Sequence, residues 1–311
     1  MLAGKFAESR RTLDLIGRRA PDNPLLLLVE VQDEAAQQDW EGAERRAEAN
    51  IAAKQGDTLE LVDAFEQMAG IVMTQGRLEE AGRHWRTQLL LAAAAGPWSR
   101  RLYGAQMLGW LRLRFRNDVA GAVAVVDSAL RRMPLDSMLP GDRPYYELAR
   151  FFAAAGDPHR AGTMMALAGS DDSVEGRGQR AERAWTKGAI LLAEGHASEA
   201  EPLLREAAEI SWCPLCALPD LARARDAKGD AAGAIDTYER YLSTPWFFRY
   251  EVDAYELGPA LRRLAELYDA RDEPSKARET RTRLLALWRR ADAELQPVLA
   301  DVRTRLTPPD R

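Results

Sequence analysis

The chain has 311 residues, of which 46% are hydrophobic and 29% charged, so it carries enough apolar side chains for a substantial core. Its formal net charge of −5 gives no reason to expect a nucleic acid or an anionic membrane as partner. The sequence has no apolar run of the roughly 20 residues that a membrane span needs, and no signal-peptide pattern at its start. With two cysteines a disulfide framework is excluded, and we expect a reducing, cytoplasmic compartment.

A short pattern recurs eight times along the chain. A turn residue, usually Gly, is followed by a polar residue and, five positions after the turn, by a small residue. Because the small residues recur at intervals of 34 to 43, the pattern predicts stacked pairs of helices. In each pair the small side chain is expected where the two helices cross, and the turn residue where the backbone becomes left-handed. The small residues are Ser9, Ala43, Ala81, Ala122, Ala161, Ala200, Ala234 and Ala277, and the predicted helix caps are Asp39, Asp118, Asp157 and Asp230.

The segments before these turns have a helical period. Apolar residues follow the spacing i, i+3, i+4, i+7 in the segments that begin at Phe65, Tyr145 and Leu261. The sequence contains no alternating run of useful length, so the predicted fold class is all-α, an α-α superhelix.

We predict one solenoid over residues 1–311. The expected helix pairs span 23–56, 57–96, 97–134, 140–170, 174–212, 213–245 and 254–291, and a capping helix spans 292–307. Residues 1–22 correspond to a lone half-repeat, because residues 2–20 match only the second helix of a pair. We therefore expect the chain to be a piece of a longer protein, or its start codon to be misplaced.

The recurring pattern and the helical segments before it resemble the tetratricopeptide repeat (TPR). Phe65, Met68 and Ala69 match the bulky, Leu and Ala positions of its first helix, and Ala81 with Trp85 match its second helix. The C-terminal half resembles the TPR tails of large bacterial signalling proteins of the serine/threonine kinase or transcriptional regulator type. The resemblance implies a non-catalytic interaction scaffold whose concave groove, lined by the first helices, binds a peptide or a partner helix.

The repeat register predicts which side chains face this groove. Arginines in a groove can hold the carboxylates of an acidic peptide, and aromatic rings can serve as anchors. The alternative is that the arginines are ordinary solvated residues interleaved with Glu147, Glu182 and Glu266. The groove candidates are Arg114, Arg143, Tyr146, Arg150, Trp185, Arg223, Arg262 and Arg263, together with Met107 and Asp226.

Cys213 and Cys216 form a C-x-x-C pattern at the predicted start of a first helix. A zinc site needs four ligands and the chain has no further cysteine, while thioredoxin chemistry needs a βαβ setting. We expect two small residues packed between repeats. A thiol redox sensor is one alternative function, and a small-molecule-binding array is another.

The segment "STPWFFRYEVDAY" brings five aromatic residues into the predicted connection between the sixth and seventh pairs. We expect these rings to fold back as a hydrophobic plug, because an exposed aromatic patch would promote aggregation.

Catalytic and metal-binding patterns are weak. His84, His159 and His196 have no second ligand type at metal spacing, and no G-x-S-x-G or kinase motif occurs. We expect neither an enzyme nor a cofactor, and a protein or peptide as the partner.

Overall fold

The computed structural model describes residues 5–20, 23, 25–95, 98–169 and 177–306. These ranges contain sixteen α-helices and no β-strand, so the fold is all-α. Short 3-10 turns lie at Leu135–Ser137, Pro140–Asp142 and Ala293–Leu295. The helices are α1 (Phe6–Arg19), α2 (Leu26–Ala36), α3 (Trp40–Ala53), α4 (Thr58–Thr74), α5 (Leu78–Ala95), α6 (Trp98–Phe115), α7 (Val119–Arg132), α8 (Tyr145–Ala154), α9 (Pro158–Leu167), α10 (Arg177–Ala193), α11 (Ala197–Ile210), α12 (Leu218–Ala227), α13 (Ala231–Ser243), α14 (Arg249–Ala270), α15 (Pro274–Leu287) and α16 (Gln296–Thr304).

The helices from α2 to α15 pack as consecutive pairs, each first helix against the second helix that follows it. Successive pairs stack into an α-α superhelix, and α1 packs on α2 through a hydrogen bond from Ser9 Oγ to Asp33 Oδ1 at 2.6 Å. One boundary differs from the sequence prediction. The first helix of the seventh pair begins at Arg249, not at residue 254, so Tyr250 and Tyr255 are helical and do not belong to a connection.

The junction inside each pair has the predicted chemistry. The repeat alanines from Ala43 to Ala277 are fully buried, as expected for residues at a close helix crossing. Four turns use Gly in the left-handed conformation, and Gln38, Asn117 and Asp272 adopt the same conformation with φ of 60°, 51° and 57°. Each predicted capping aspartate accepts a hydrogen bond from the backbone N–H three residues further on, as in the bond from Arg160 to Asp157 at 3.0 Å.

The aromatic segment before and within α14 is largely buried. Trp246 and Tyr250 are each 4% exposed, and Phe247 and Phe248 pack against the same core. The aromatic rings are therefore buried or half-buried as expected, but Tyr250 and Tyr255 lie on α14 and not in a folded-back loop.

The superhelix closes on itself through α14, which packs against α4 and also contacts α2 and α6. At Gly70 on α4 even a methyl group would lie 2.7 Å from the carbonyl oxygen of Tyr250. Glycine is therefore required at this position, because it lets the backbones of two helices from distant repeats approach each other.

The residues after α15 complete this closure. Trp288 Nε1 donates to the carbonyl of Thr74 at 3.1 Å, and the N–H of Asp292 donates to the carbonyl of Gly76 at 3.1 Å. Arg116 forms a two-pronged ion pair with Glu294, with distances of 2.8 and 2.9 Å. The C-terminal segment, predicted as a cap on a free end, therefore lies against the second and third pairs.

Candidate functional site

The concave face of the superhelix contains a half-open pocket of about 440 Å³ among the described residues. Its walls come from α6, α8, α10, α12 and α14, which are the first helices of five consecutive pairs, and from the turn before α12. The concave face predicted as an open groove is therefore a bounded pocket, because α14 reaches back to α4.

One wall of the pocket is a chain of charged contacts across four helices. Trp185 Nε1 donates to Asp220 Oδ2 at 2.7 Å, and Asp220 Oδ1 accepts from Arg223 at 2.8 Å. Arg223 also binds both carboxylate oxygens of Glu256 at 2.8 and 3.0 Å, and Arg114 donates to Glu256 at 2.9 Å. The contacts tie α10, α12, α14 and α6 together.

Two groups in this chain of contacts, Asp220 and Arg223, stay ionised. Burial pushes the pKa of Asp220 upwards, but the attraction of Arg223 and the hydrogen bond from Trp185 outweigh it and leave that pKa below its ordinary value. Burial also acts against the charged form of Arg223, whereas Glu256 and Asp220 raise the pKa of its guanidinium well above the usual value.

A second contact set joins α8 to α10. The Arg150 guanidinium lies 3.9 Å from the centre of the Trp185 ring, donates to Glu182 at 2.6 Å and donates to Thr186 at 3.0 Å. Arg150 is thus held by a carboxylate and a ring face at the same time.

Aromatic rings form much of the remaining wall. Trp110 and Tyr255 stack in parallel with ring centres 4.8 Å apart, and Arg114 lies 5.0 Å from the Trp110 ring. Tyr103 lines the same pocket and meets Trp85 edge to face.

Two carboxylates of the pocket stand outside these contact sets. Glu147 is half exposed, and its nearest approach to Arg150 is 4.0 Å. No ion pair joins Glu251 to another described residue, and burial raises the pKa of its carboxyl to about 7 although Arg100 and Tyr250 act in the opposite direction.

Five of the ten residues named from the sequence line this pocket. They are Met107, Arg114, Arg150, Trp185 and Arg223. The expectation of arginines open to an acidic ligand is not met, because each guanidinium in the pocket already binds a carboxylate of the chain.

The other named residues lie elsewhere. Arg143 donates to the carbonyls of Met138 and Asp136 before α8, and Tyr146 is half-buried on α8 outside the pocket lining. Arg262 and Arg263 border a separate cleft of about 360 Å³ with Arg114. Arg263 binds Asp226 at 2.7 and 2.9 Å, and Asp226 does not line the pocket either.

Trp110, Glu251, Tyr255 and Glu256 line the pocket and were not predicted to do so. Glu251 and Tyr255 fall in the segment predicted as a connection, because the aromatic run obscured the start of α14. The i, i+4 spacing of Glu251 and Tyr255, which puts both side chains on one helix face, was the available signal.

Cys213 and Cys216 form a disulfide with a Cα–Cα distance of 5.5 Å, and both residues line the pocket. The expectation of two packed thiols therefore needs correction. Trp212 beside them is 59% exposed and meets Trp246 edge to face with ring centres 5.1 Å apart.

Within the described ranges, no group of three or more His, Cys, Asp or Glu side chains is arranged to hold a metal ion. The helices of the same ranges include none with both the length and the apolar character of a bilayer span.

No protein-family model and no curated protein sequence matches the chain. Among solved structures, it is similar to a tetratricopeptide repeat protein from Parabacteroides merdae, with a TM-score of 0.47 and 11% identity over 90% of this chain and 97% of that chain. It is also similar to a chain of the APC/C hetero-tetramer Cut9–Hcn1, with a TM-score of 0.47 and 12% identity over 97% of this chain and 53% of that chain. For the P58(IPK) TPR domain the TM-score is 0.30 and the identity 12%, over 98% and 94% of the two chains. Identities this low carry over no side chain of the pocket.

Proposed function

We propose that this chain is an interaction module that holds a short segment of a partner protein in the pocket between α6, α8, α10, α12 and α14. The observation that carries the proposal is a half-open pocket of about 440 Å³ that is lined by the first helices of five pairs. This volume lies in the range of roughly 300–1,000 Å³ that is common for ligand sites.

The pocket volume suits a short segment. A few extended residues, or one long side chain with its backbone at the rim, have the size of ligands that such a volume holds.

The walls favour binding because their side chains are already fixed. Arg114, Arg150 and Arg223 are each held by ion pairs to neighbouring helices, and Trp110 is stacked on Tyr255. Side chains that are ordered before binding lose little conformational entropy when a ligand arrives. The resemblance of the C-terminal half to bacterial signalling tails supports a role as the docking tail of a larger regulator.

Selection from a phage-displayed library of random heptapeptides tests the proposal. Ala193 lines the pocket and is exposed, so the ring of Ala193→Trp should fill the pocket without displacing core side chains. Ala166→Trp places the same ring at an exposed position of α9 as the control. We expect clones that bind the wild type and the Ala166→Trp variant but not the Ala193→Trp variant.

Two outcomes would contradict the proposal. Clones that bind all three proteins equally would place the interaction outside the pocket. The second outcome is that no clone depends on the pocket, and a metabolite from a tested panel raises the melting temperature of the wild type but not of the Ala193→Trp variant. The pocket would then bind a small molecule.

A second candidate function is thiol redox sensing, which the position of the Cys213–Cys216 disulfide in the pocket wall favours. Reduction by a dithiol would break the S–S bond, add two electrons and two protons to give two thiols, and oxidise the dithiol to its own disulfide. Peptide affinity should then differ between the oxidised and the dithiol-treated protein. In the Cys213→Ser/Cys216→Ser variant the same treatment should have no effect, and an unchanged wild-type affinity would remove this candidate.

A further inference from the structure

The pocket carries an excess of negative charge when Glu251 is ionised. Its lining includes five carboxylates and three guanidinium groups. Glu182, Asp220 and Glu256 bind the three guanidinium groups, as described above, so the excess resides on Glu147 and Glu251. Of these two, Glu147 lies half in solvent, where its charge is screened, and Glu251 lies deeper.

The aromatic walls suit a cation with an apolar stem. Two of the chain's own guanidinium groups already lie against ring faces of this pocket, Arg150 on Trp185 and Arg114 on Trp110. Tyr103 and Tyr255 line the same space, and Tyr255 stands one helical turn after Glu251 on α14. A carboxylate beside ring faces is the arrangement that recognises ammonium and guanidinium ions.

We infer that the pocket selects a Lys or Arg side chain of the bound segment, with Glu251 as its counter-ion and the rings of Tyr103 and Tyr255 along its stem. This inference rests on the proposed function and names the chemistry of the partner.

An acidic side chain is disfavoured by the same contacts. The charge of each guanidinium group of the pocket is already balanced by Glu182, Asp220 or Glu256, so an acidic side chain would gain little net attraction from it. It would also be repelled by Glu147 and by ionised Glu251, which line the same pocket. The acidic-peptide partner suggested by the arginine-rich sequence is therefore replaced by a basic one.

Binding of a cation should be coupled to the protonation of Glu251. The charged and titratable groups around Glu251 are Arg100 and Tyr103 on α6, Glu66 on α4 and Tyr250 on α14. A cationic side chain favours the ionised form of Glu251, so affinity should rise between pH 6 and pH 8 as this carboxyl loses its proton.

The test uses the pocket-dependent clones of the heptapeptide selection. We expect Lys or Arg at one fixed position in these clones. A synthetic peptide of one clone should bind the Glu251→Gln variant about tenfold more weakly than the wild type, because the variant keeps the shape and removes the charge. Glu209→Gln, at an exposed site on α11, is the matched control and should bind like the wild type.

Replacement of the basic residue of the peptide by norleucine separates charge from packing. Norleucine should weaken binding to the wild type by a similar factor and have little effect on binding to the Glu251→Gln variant, which is the signature of a direct pair. Equal losses in both proteins would overturn the role of Glu251.

The possible results separate this inference from the proposed function. Pocket-dependent clones without an excess of Lys and Arg, or with Asp and Glu at the fixed position, would overturn the cation preference and leave peptide binding intact. The absence of any pocket-dependent clone would overturn both.

Discussion

Glu66 on α4 shows how much a single side chain depends on distant parts of the chain. It is 3% exposed, its Oε1 accepts from Arg100 at 2.7 Å, and its Oε2 has no hydrogen-bond partner in the described structure. Burial raises the pKa of this carboxyl to about 8, because desolvation outweighs the attraction of Arg100, and Glu251 and Asp63 add repulsion.

The contribution of Glu66 to the stability of the protein should therefore fall as the pH rises. The folded pKa of Glu66 lies above the ordinary value of 4.5, so the folded state binds the proton more tightly than the unfolded state. The resulting stabilisation is complete below about pH 4.5 and is lost as the pH rises through 8, at up to about 1.4 kcal/mol per pH unit.

Glu66→Gln isolates this effect, because the amide has the same shape and cannot ionise. Urea denaturation gives the free energy of unfolding of both proteins at pH 6 and pH 8. The value for the variant minus the value for the wild type should be larger at pH 8 than at pH 6. The same difference at both pH values would show that Glu66 does not carry the effect. Glu209→Gln, which is exposed, should not change the pH dependence.

At the scale of the element, the crossing of two helices in one pair is governed by small residues. In the fifth pair, Ala200 of α11 is fully buried opposite Gly188 of α10. A methyl group at Gly188 would lie 2.6 Å from Leu204 and 3.3 Å from the carbonyl oxygen of Ala200. The crossing therefore has no room for a larger side chain on either helix.

Ala200→Leu should lower the free energy of unfolding by about 1–3 kcal/mol, because the added carbons have to force the two helices apart. Chemical denaturation measures the loss. The same substitution at Ala166, which is exposed on α9, should change stability by less than about 0.5 kcal/mol. A similar result for both variants would mean that the crossing tolerates larger residues.

The turn, the cap and the crossing inside a helix pair could be predicted from the sequence because their signals are local. Asp157, Gly156 and Ala161 stand within six residues of each other, and they specify a left-handed turn, a cap and a crossing without reference to the rest of the chain. The start of α14 was predicted less well, since the run from Trp246 to Tyr250 has no cap residue and its burial depends on a partner helix about 180 residues earlier.

At the scale of the molecule, closure of the superhelix could not be predicted. Trp288 donates to the carbonyl of Thr74, which lies 214 residues earlier in the chain, and no periodic pattern in the sequence indicates such a contact. Counting from the repeat alanines placed Arg262 and Arg263 beside Arg114 and Arg150 on one groove. Closure instead divides that face into a pocket and a separate cleft. The repeat register therefore identified residues that line the pocket and residues that line the cleft, but it assigned all of them to one groove.

Trp288→Ala should open the closed superhelix and leave most helices intact. The indole is 3% exposed, bonds to Thr74 and fills the space beside Gly258, so its removal takes away packing that joins the last pair to the second. Small-angle X-ray scattering should report a larger radius of gyration with nearly unchanged helicity by circular dichroism.

Trp85→Ala is the matched control for this experiment. Trp85 is 1% exposed and contacts Tyr103 of the neighbouring pair, so its loss removes a comparable amount of packing without touching the closure. It should lower stability and leave the radius of gyration unchanged. An equal expansion in both variants would show that Trp288 has no special part in closure.

The contact of the last pair with the second changes how the molecule should unfold. In an open repeat array, stability is a sum of nearest-neighbour terms, and the terminal repeats fray first. Here the seventh pair has neighbours on both sides, the sixth along the chain and the second across the closure. Amide hydrogen exchange should therefore be as slow in α14 and α15 as in the middle pairs, and loss of the closure would turn one cooperative unit into an array that melts inwards from its C-terminal pair.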